Sequence, residues 1–232
     1  MDLRPALSFA QDWGNCVLDV AFPWPESQEE APVRIEAPFC RQCGLPFPAL
    51  ADLTGDFVCG HCQAKDWSFL WARAGYLTAG QVHEAVVGFK YEEEFYRRAQ
   101  LVNWLVETYD RFAAAEQWDG LVPVPLHHRR YRDRGFNQAR ELADGLGGAR
   151  NVPVIDCLYR YRETDSQTGL RRNERWNNMK HAFLLKPKFD LSGKNLLIID
   201  DVFTTGATAN ACARVLAEAG ASRLAVLTIA RS

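Results

Sequence analysis

Two groups of residues in this 232-residue chain have types and spacings suited to chemistry. The first is the stretch 196–208, LLIIDDVFTTGAT, where an apolar run ends in two carboxylates and passes at once into hydroxyl residues and a glycine. The second is a pair of C-x2-C units, Cys40 with Cys43 and Cys59 with Cys62, separated by 15 residues. Two such units present four thiolates tetrahedrally to zinc. Four sulfurs leave zinc no open position for a substrate, so the predicted role is structural. A Cys3His set through His61 is the alternative, and the complete second C-x2-C favours Cys62 over it.

The carboxylates ask for a specific kind of ligand. Leu196 to Ile199 read as a buried parallel strand, which places Asp200 and Asp201 at its carboxyl end, the edge where open α/β sheets bind ligands. Residues 202–206 then form a loop, with Thr208 near the first turn of the following helix. Free N–H groups, the helix dipole and the hydroxyls of Thr204, Thr205 and Thr208 suit a phosphate, and Gly206 lets the backbone come close. Adjacent carboxylates repel, and a purely structural capping role leaves that cost unmet without a cation or a diol. A ribose 5-phosphate meets both demands, phosphate in the loop and diol on the acids. If a pyrophosphate leaves the anomeric carbon, the carboxylates stabilise the charge that develops on the ring. A P-loop is disfavoured, since there is no GxxxxGK[ST] and no lysine in the loop.

The elements that must position these groups alternate. Residues 71–77 read as a strand. Val82, Ala85, Val86 and Phe89 mark one helical face, and Leu101, Val102, Leu105, Val106, Tyr109 and Phe112 a longer one. DGLVPVPL is a buried strand. NQARELADGLGG is a helix with Asn137 as N-cap and Gly147 and Gly148 past its end. VPVIDCLYRY reads as a second core strand, NLLIID as the third, TANACARVLAEAG as a helix closed by Gly220, and RLAVLTIA as the last strand. The predicted fold class is α/β with a mostly parallel sheet. Three segments are expected: an extension at 1–37, a four-cysteine zinc module at 38–70, and an α/β domain at 71–232.

Composition sets the outer limits. A hydrophobic content of 47% supports a real core and excludes global disorder. No 18-residue apolar run is present, so no membrane span is expected. The first residues lack the basic start and apolar core of an export signal. The expected location is therefore the cytoplasm, where seven cysteines read as reduced thiols and metal ligands. Charge is uneven: residues 1–70 hold 4 basic and 10 acidic residues, and residues 119–188 hold 14 basic and 8 acidic. A basic middle points to phosphates or nucleic acid. HHRRYRDR packs four arginines and a tyrosine into eight residues and reads as a basic loop after a strand that ends on the ligand edge. Part of it reads as a pyrophosphate clamp, with a single-stranded DNA surface as the second reading and a merely solvated loop as the third. Lys90 reads as a surface lysine, and the tryptophans as packing residues.

LLIIDDVFTTGAT closely resembles the phosphoribosyl pyrophosphate motif of type I phosphoribosyltransferases. CRQCG, VPVPLHHRRYRDRGFNQA and RYRETDSQTGLRRNERWNNMKHAF, read with it, resemble the ComF/GntX family of competence and DNA-utilisation proteins over most of residues 38–232. The resemblance implies a sheet of the type I phosphoribosyltransferase kind. It implies that Asp200 and Asp201 take the ribose hydroxyls, and that Thr204, Thr205, Gly206, Ala207 and Thr208 take the 5-phosphate. Arg134 and Gly135 fall where a pyrophosphate loop is expected. Residues 163–182, with Gln167, Arg175 and Asn178, fall where a mobile loop closes over the site. Structural zinc is expected, together with magnesium accompanying phosphoribosyl pyrophosphate. The family pattern carries a further C-x2-C near the N-terminus where this chain has only Cys16, so one zinc is expected. No base-recognising hood is evident. Two functions follow: phosphoribosyl transfer to an unknown acceptor in DNA uptake or utilisation, or a non-catalytic scaffold for single-stranded DNA and a helicase partner.

Overall fold

A computed structural model describes residues 31–47, 57–91, 95–162 and 182–232. Contacts divide the chain after Ala31, and everything below lies in the unit Pro32–Ser232. Its centre is a four-stranded parallel sheet: β1 (Ala72–Leu77), β2 (Gly120–Pro123), β5 (Asn195–Phe203) and β6 (Arg223–Arg231), in the spatial order β1-β6-β5-β2. Two short strands, β3 (Leu158–Arg160) and β4 (Phe183–Leu185), form a separate antiparallel ribbon. The helices are α1 (Gly60–Gln63), α2 (Gly80–Tyr91), α3 (Arg98–Phe112), α4 (His128–Arg134), α5 (Gln138–Arg150) and α6 (Ala207–Glu218).

The central strand β5 is buried on both faces, as an unbroken Leu-Leu-Ile-Ile run requires. Leu196 and Ile198 join a core with Val122, Leu224 and Val226, covered by α6, the ribbon and the cysteine module. Leu197 and Ile199 join the opposite core with Leu121, Ala225 and Leu227, covered by α3 and α5. Side chains alternate along a strand, so residues 196–199 of β5 take turns between the two faces. The four cysteines and Phe69 belong to the first core together with Phe203 and Ala207. Gly75 exists for packing, since a Cβ there would lie 2.2 Å from the Thr108 hydroxyl on α3.

Three readings of the sequence are corrected. Gly147 and Gly148 do not lie past the helix: α5 runs through them to Arg150, and Asn151 caps it in the left-handed conformation (φ 56°). A Cβ at Gly147 would lie 2.7 Å from the Val152 carbonyl, so this glycine serves a close return of the chain. VPVIDCLYRY is not a core strand: Val154 makes one parallel bridge to Leu121, and Leu158–Arg160 leaves the sheet to pair with β4. HHRRYRDR folds as helix α4, closed by Gly135 at φ 80°. The Asn137 cap is as expected, its side chain accepting from Ala139 N at 3.0 Å.

Candidate functional site

The end of β5 opens on a cavity of about 350 Å³, within the range of small-molecule sites. Asp200, Asp201, Thr204, Gly206, Ala207 and Thr208 line it, with α6 starting at its wall. Strand alternation separates the two acids, which share a peptide bond but face opposite sides of the sheet. Asp201 is buried and pairs with Lys90 from α2, Nζ to Oδ2 2.5 Å. Lys90 is thus a wall of the site and not a surface lysine. Asp200 lies on the other side, within the field of Arg160, and its own charge acts on the buried Cys212. Burial, and then the charge of Asp201, push the Asp200 carboxyl up to about 7 against the pull of Lys90 and Arg160. A buried carboxyl with so perturbed a titration, set in a cavity, marks a candidate functional group.

The basic wall differs from the expectation in its residues. Arg130, Asn137, Gln138 and Arg160 line the cavity. Arg134 and Gly135 do not: Arg134 donates from Nη1 to Gln138 Oε1 at 2.7 Å, and Gly135 serves as the C-cap of α4. Arg160 reaches the site from β3, the strand that departs from the core sheet, which is why sequence reasoning missed it. Burial, and then the neighbouring Arg130, make its protonated form harder to hold. Two guanidiniums facing one cavity suit a ligand with several negative charges. Gln167, Arg175 and Asn178 lie outside the described residues.

The loop is built from below by the cysteine module. Gly206 adopts φ 80°, and a Cβ there would lie 2.6 Å from both Phe203 and Trp67, so only glycine fits. His61 Nε2 donates to the Thr205 carbonyl at 3.2 Å. Asn210 in α6 accepts from Ser68 N at 2.7 Å and donates to the Asp66 carbonyl at 3.1 Å. Thr205 is buried, and its hydroxyl accepts from Ala207 N at 3.3 Å; it is not on the cavity wall, unlike Thr204 and Thr208.

Cys40, Cys43, Cys59 and Cys62 are all buried, with their sulfurs within 4.8 Å of one another. Cys43 Sγ and Cys59 Sγ are 3.8 Å apart. Tetrahedral zinc with bonds of about 2.3 Å needs sulfurs about 3.8 Å apart, so this set fits such a metal. Burial pushes the Cys43 and Cys62 thiols up. At Cys40 burial acts the same way, and N–H donors led by that of Cys59 more than offset it, leaving about 7. Four thiolates crowded in a core need a cation among them. His61 is turned to Thr205 and takes no part in the cluster.

No family model matches the chain. Among solved structures it superposes on glutamine phosphoribosylpyrophosphate amidotransferase from B. subtilis with a TM-score of 0.37 and 21% identity, over 56% of this chain and 25% of that one. On purine phosphoribosyltransferase from Pyrococcus horikoshii the TM-score is 0.35 at 17% identity, over 59% and 74%. At those scores the superpositions add nothing to the parallel sheet described above. Sequence relatives are nearer. Competence protein F of Haemophilus influenzae is 28% identical over 84% of this chain and 85% of its own length. Competence protein ComFC of Streptococcus pneumoniae is 27% identical over 83% and 87%. DNA utilization protein YhgH of Salmonella typhimurium reaches 32% over 86% and 87%. With identity at that level spread along nearly the whole of both chains, this protein belongs to the ComF/GntX family of competence and DNA-utilisation proteins.

Proposed function

We propose that this protein binds phosphoribosyl pyrophosphate at the end of β5 and serves DNA uptake or utilisation. The observation that carries the reading is the cavity itself, which joins two acids from opposite faces of one strand, the start of α6 and two guanidiniums. The start of α6, with Thr204 and Thr208, takes the 5-phosphate. Asp200 and Asp201 take the ribose diol, and Lys90 holds Asp201 in place. Arg130 and Arg160 take the pyrophosphate, with a magnesium ion that enters with the ligand and offsets its charge. On departure of pyrophosphate, the carboxylates face the positive ring. Arg134 and Gly135 act behind the wall, through Gln138 and the end of α4. The relatives' names, competence and DNA utilization, supply the biological setting.

Calorimetry tests the reading. Wild-type protein should bind ribose 5-phosphate, and phosphoribosyl pyrophosphate with magnesium more tightly. Changing Asp200 and Asp201 to Asn keeps shape and removes charge. Ribose 5-phosphate should then bind nearly as before, while any turnover of phosphoribosyl pyrophosphate falls by about two orders of magnitude. No heat with either ligand, or full turnover in the Asn variant, rejects the reading.

A second reading, a scaffold for single-stranded DNA and a helicase partner, is favoured by one observation: Arg129, Tyr131 and Arg132 of α4 are exposed, and Tyr131 is 50% accessible. Exposed guanidiniums beside an exposed ring suit a single strand.

A further inference from the structure

Arg231, at the end of β6, is buried with 7% of its surface accessible. A buried guanidinium needs acceptors on every side and a counter-charge. Nη1 donates to the carbonyls of Phe203 at 3.0 Å and Thr204 at 2.5 Å, and to the Ser232 oxygen at 2.6 Å. Nη2 points the other way and donates to Cys43 Sγ at 3.7 Å. The guanidinium also stacks on the Phe203 ring, 5.0 Å from its centre. One rigid fork therefore touches both the loop that lines the cavity and the cysteine cluster.

We propose that Arg231 is the positioning residue of the 203–208 loop, coupling it to the cysteine cluster so that a metal-loaded cluster holds the loop in its anion-binding shape. The identity of the anion rests on the phosphoribosyl reading; the coupling does not. A divalent metal held by four thiolates leaves the cluster net negative, which anchors a guanidinium. Arg73 also faces Cys40 and Cys43, but its Nη1 is engaged with the Arg41 and Ala72 carbonyls, away from the loop. Arg231 reaches across. Its grip also sets the aim of the loop's donors. A peptide unit is planar and trans, so each N–H points opposite to the C=O of the same unit. Pinning the carbonyls of residues 203 and 204 on Arg231 turns the N–H groups of residues 204 and 205 away from the guanidinium. Trp67 beneath Gly206 and His61 on the Thr205 carbonyl brace the same loop from the module.

Hydrogen exchange of the full chain, without any ligand, tests the coupling. With metal bound, Arg231→Gln should speed exchange in residues 203–208 by about tenfold or more, the scale of a lost pair of charge-assisted bonds, with bound metal unchanged. Stripping metal from wild type should speed the same residues. Stripping it from Arg231→Gln should add less than it does in wild type. Arg231→Lys keeps the charge without the two-sided fork, should show the same direction, and replaces Arg231→Gln if that variant does not fold. Loop exchange at the wild-type rate in the metal-loaded variant, or no response of wild type to metal removal, overturns the proposal. Ribose 5-phosphate affinity, measured in parallel, should fall wherever the loop loosens. If the loop responds but wild type does not bind ribose 5-phosphate, the coupling stands and the phosphoribosyl reading falls.

Discussion

Asp200 is lifted from an ordinary 3.8 to about 7, first by burial and then by Asp201. Raising an acid's pKa on folding makes its contribution to stability largest at low pH. That contribution is fully present below about 4 and is lost as pH rises through about 7. Asp200→Asn, which cannot ionise, should therefore melt a few degrees above wild type at pH 8, with the gap closing towards pH 4.5. Melting curves of both proteins across that range check this, and a constant gap would show that Asp200 does not ionise near neutrality. The same acid explains what was legible at this scale. The repulsion between two neighbouring carboxylates pointed to the site from sequence alone. The device that relieves it did not, because Lys90 and Arg160 come from α2 and β3, 111 and 40 residues before their acids, and no periodicity carries such a pairing.

Elements with a repeating apolar face were the most readable. Val82, Ala85, Val86 and Phe89 are all buried in α2, and the apolar run of β5 is buried on both faces. Residues 158–160 misled because a short apolar stretch looks the same in a core strand as in a two-stranded ribbon; only its partner, Phe183–Leu185, decides. In α4, clustered arginines suggested a loop, although arginine is a good helix former and Gly135 supplies the stop. Helix formation has a functional result, since it divides the arginines. Arg130 reaches the cavity wall while Arg129 and Arg132 are exposed. If single-stranded DNA is bound, changing Arg129 and Arg132 to Ala should lower the slope of log affinity against log salt by roughly 1–2. Ribose 5-phosphate and phosphoribosyl pyrophosphate binding should be unchanged. Arg130→Ala should do the reverse, weakening phosphoribosyl pyrophosphate at least tenfold with little effect on the salt slope. Filter binding across a salt series, beside calorimetry, separates the two; equal effects of both changes on both ligands would contradict the division.

At the scale of the whole molecule, the sheet keeps two cores apart, and the cysteine cluster belongs to one of them. Purified reduced protein should carry about one zinc per chain by elemental analysis. Chelation should loosen residues 57–67 and 203–210, which share packing and hydrogen bonds, while the core under α3 and α5 keeps its protection. No bound metal, or uniform loosening of both cores, would count against this. Among the described residues no helix is long and apolar enough to cross a membrane. The three segments expected from sequence, with boundaries at residues 37 and 70, stand as a proposal for limited proteolysis to test. The cysteine pairs announced the module, but its role as the underside of the loop depends on Trp67, His61 and Asn210 meeting residues far along the chain.

The strand order β1-β6-β5-β2 has a consequence for biosynthesis. β6 follows every other strand in sequence, yet it lies between β1 and β5. On the ribosome, β5 and β2 can pair as they emerge, whereas β1 must wait with its inner edge open until β6 leaves the exit tunnel. Arg231 sits at the end of that same strand, so the nascent chain acquires its sheet and the underpinning of its loop in a single late step. Until then the edges of β1 and β5 are exposed to other chains, the condition under which nascent proteins aggregate or recruit chaperones.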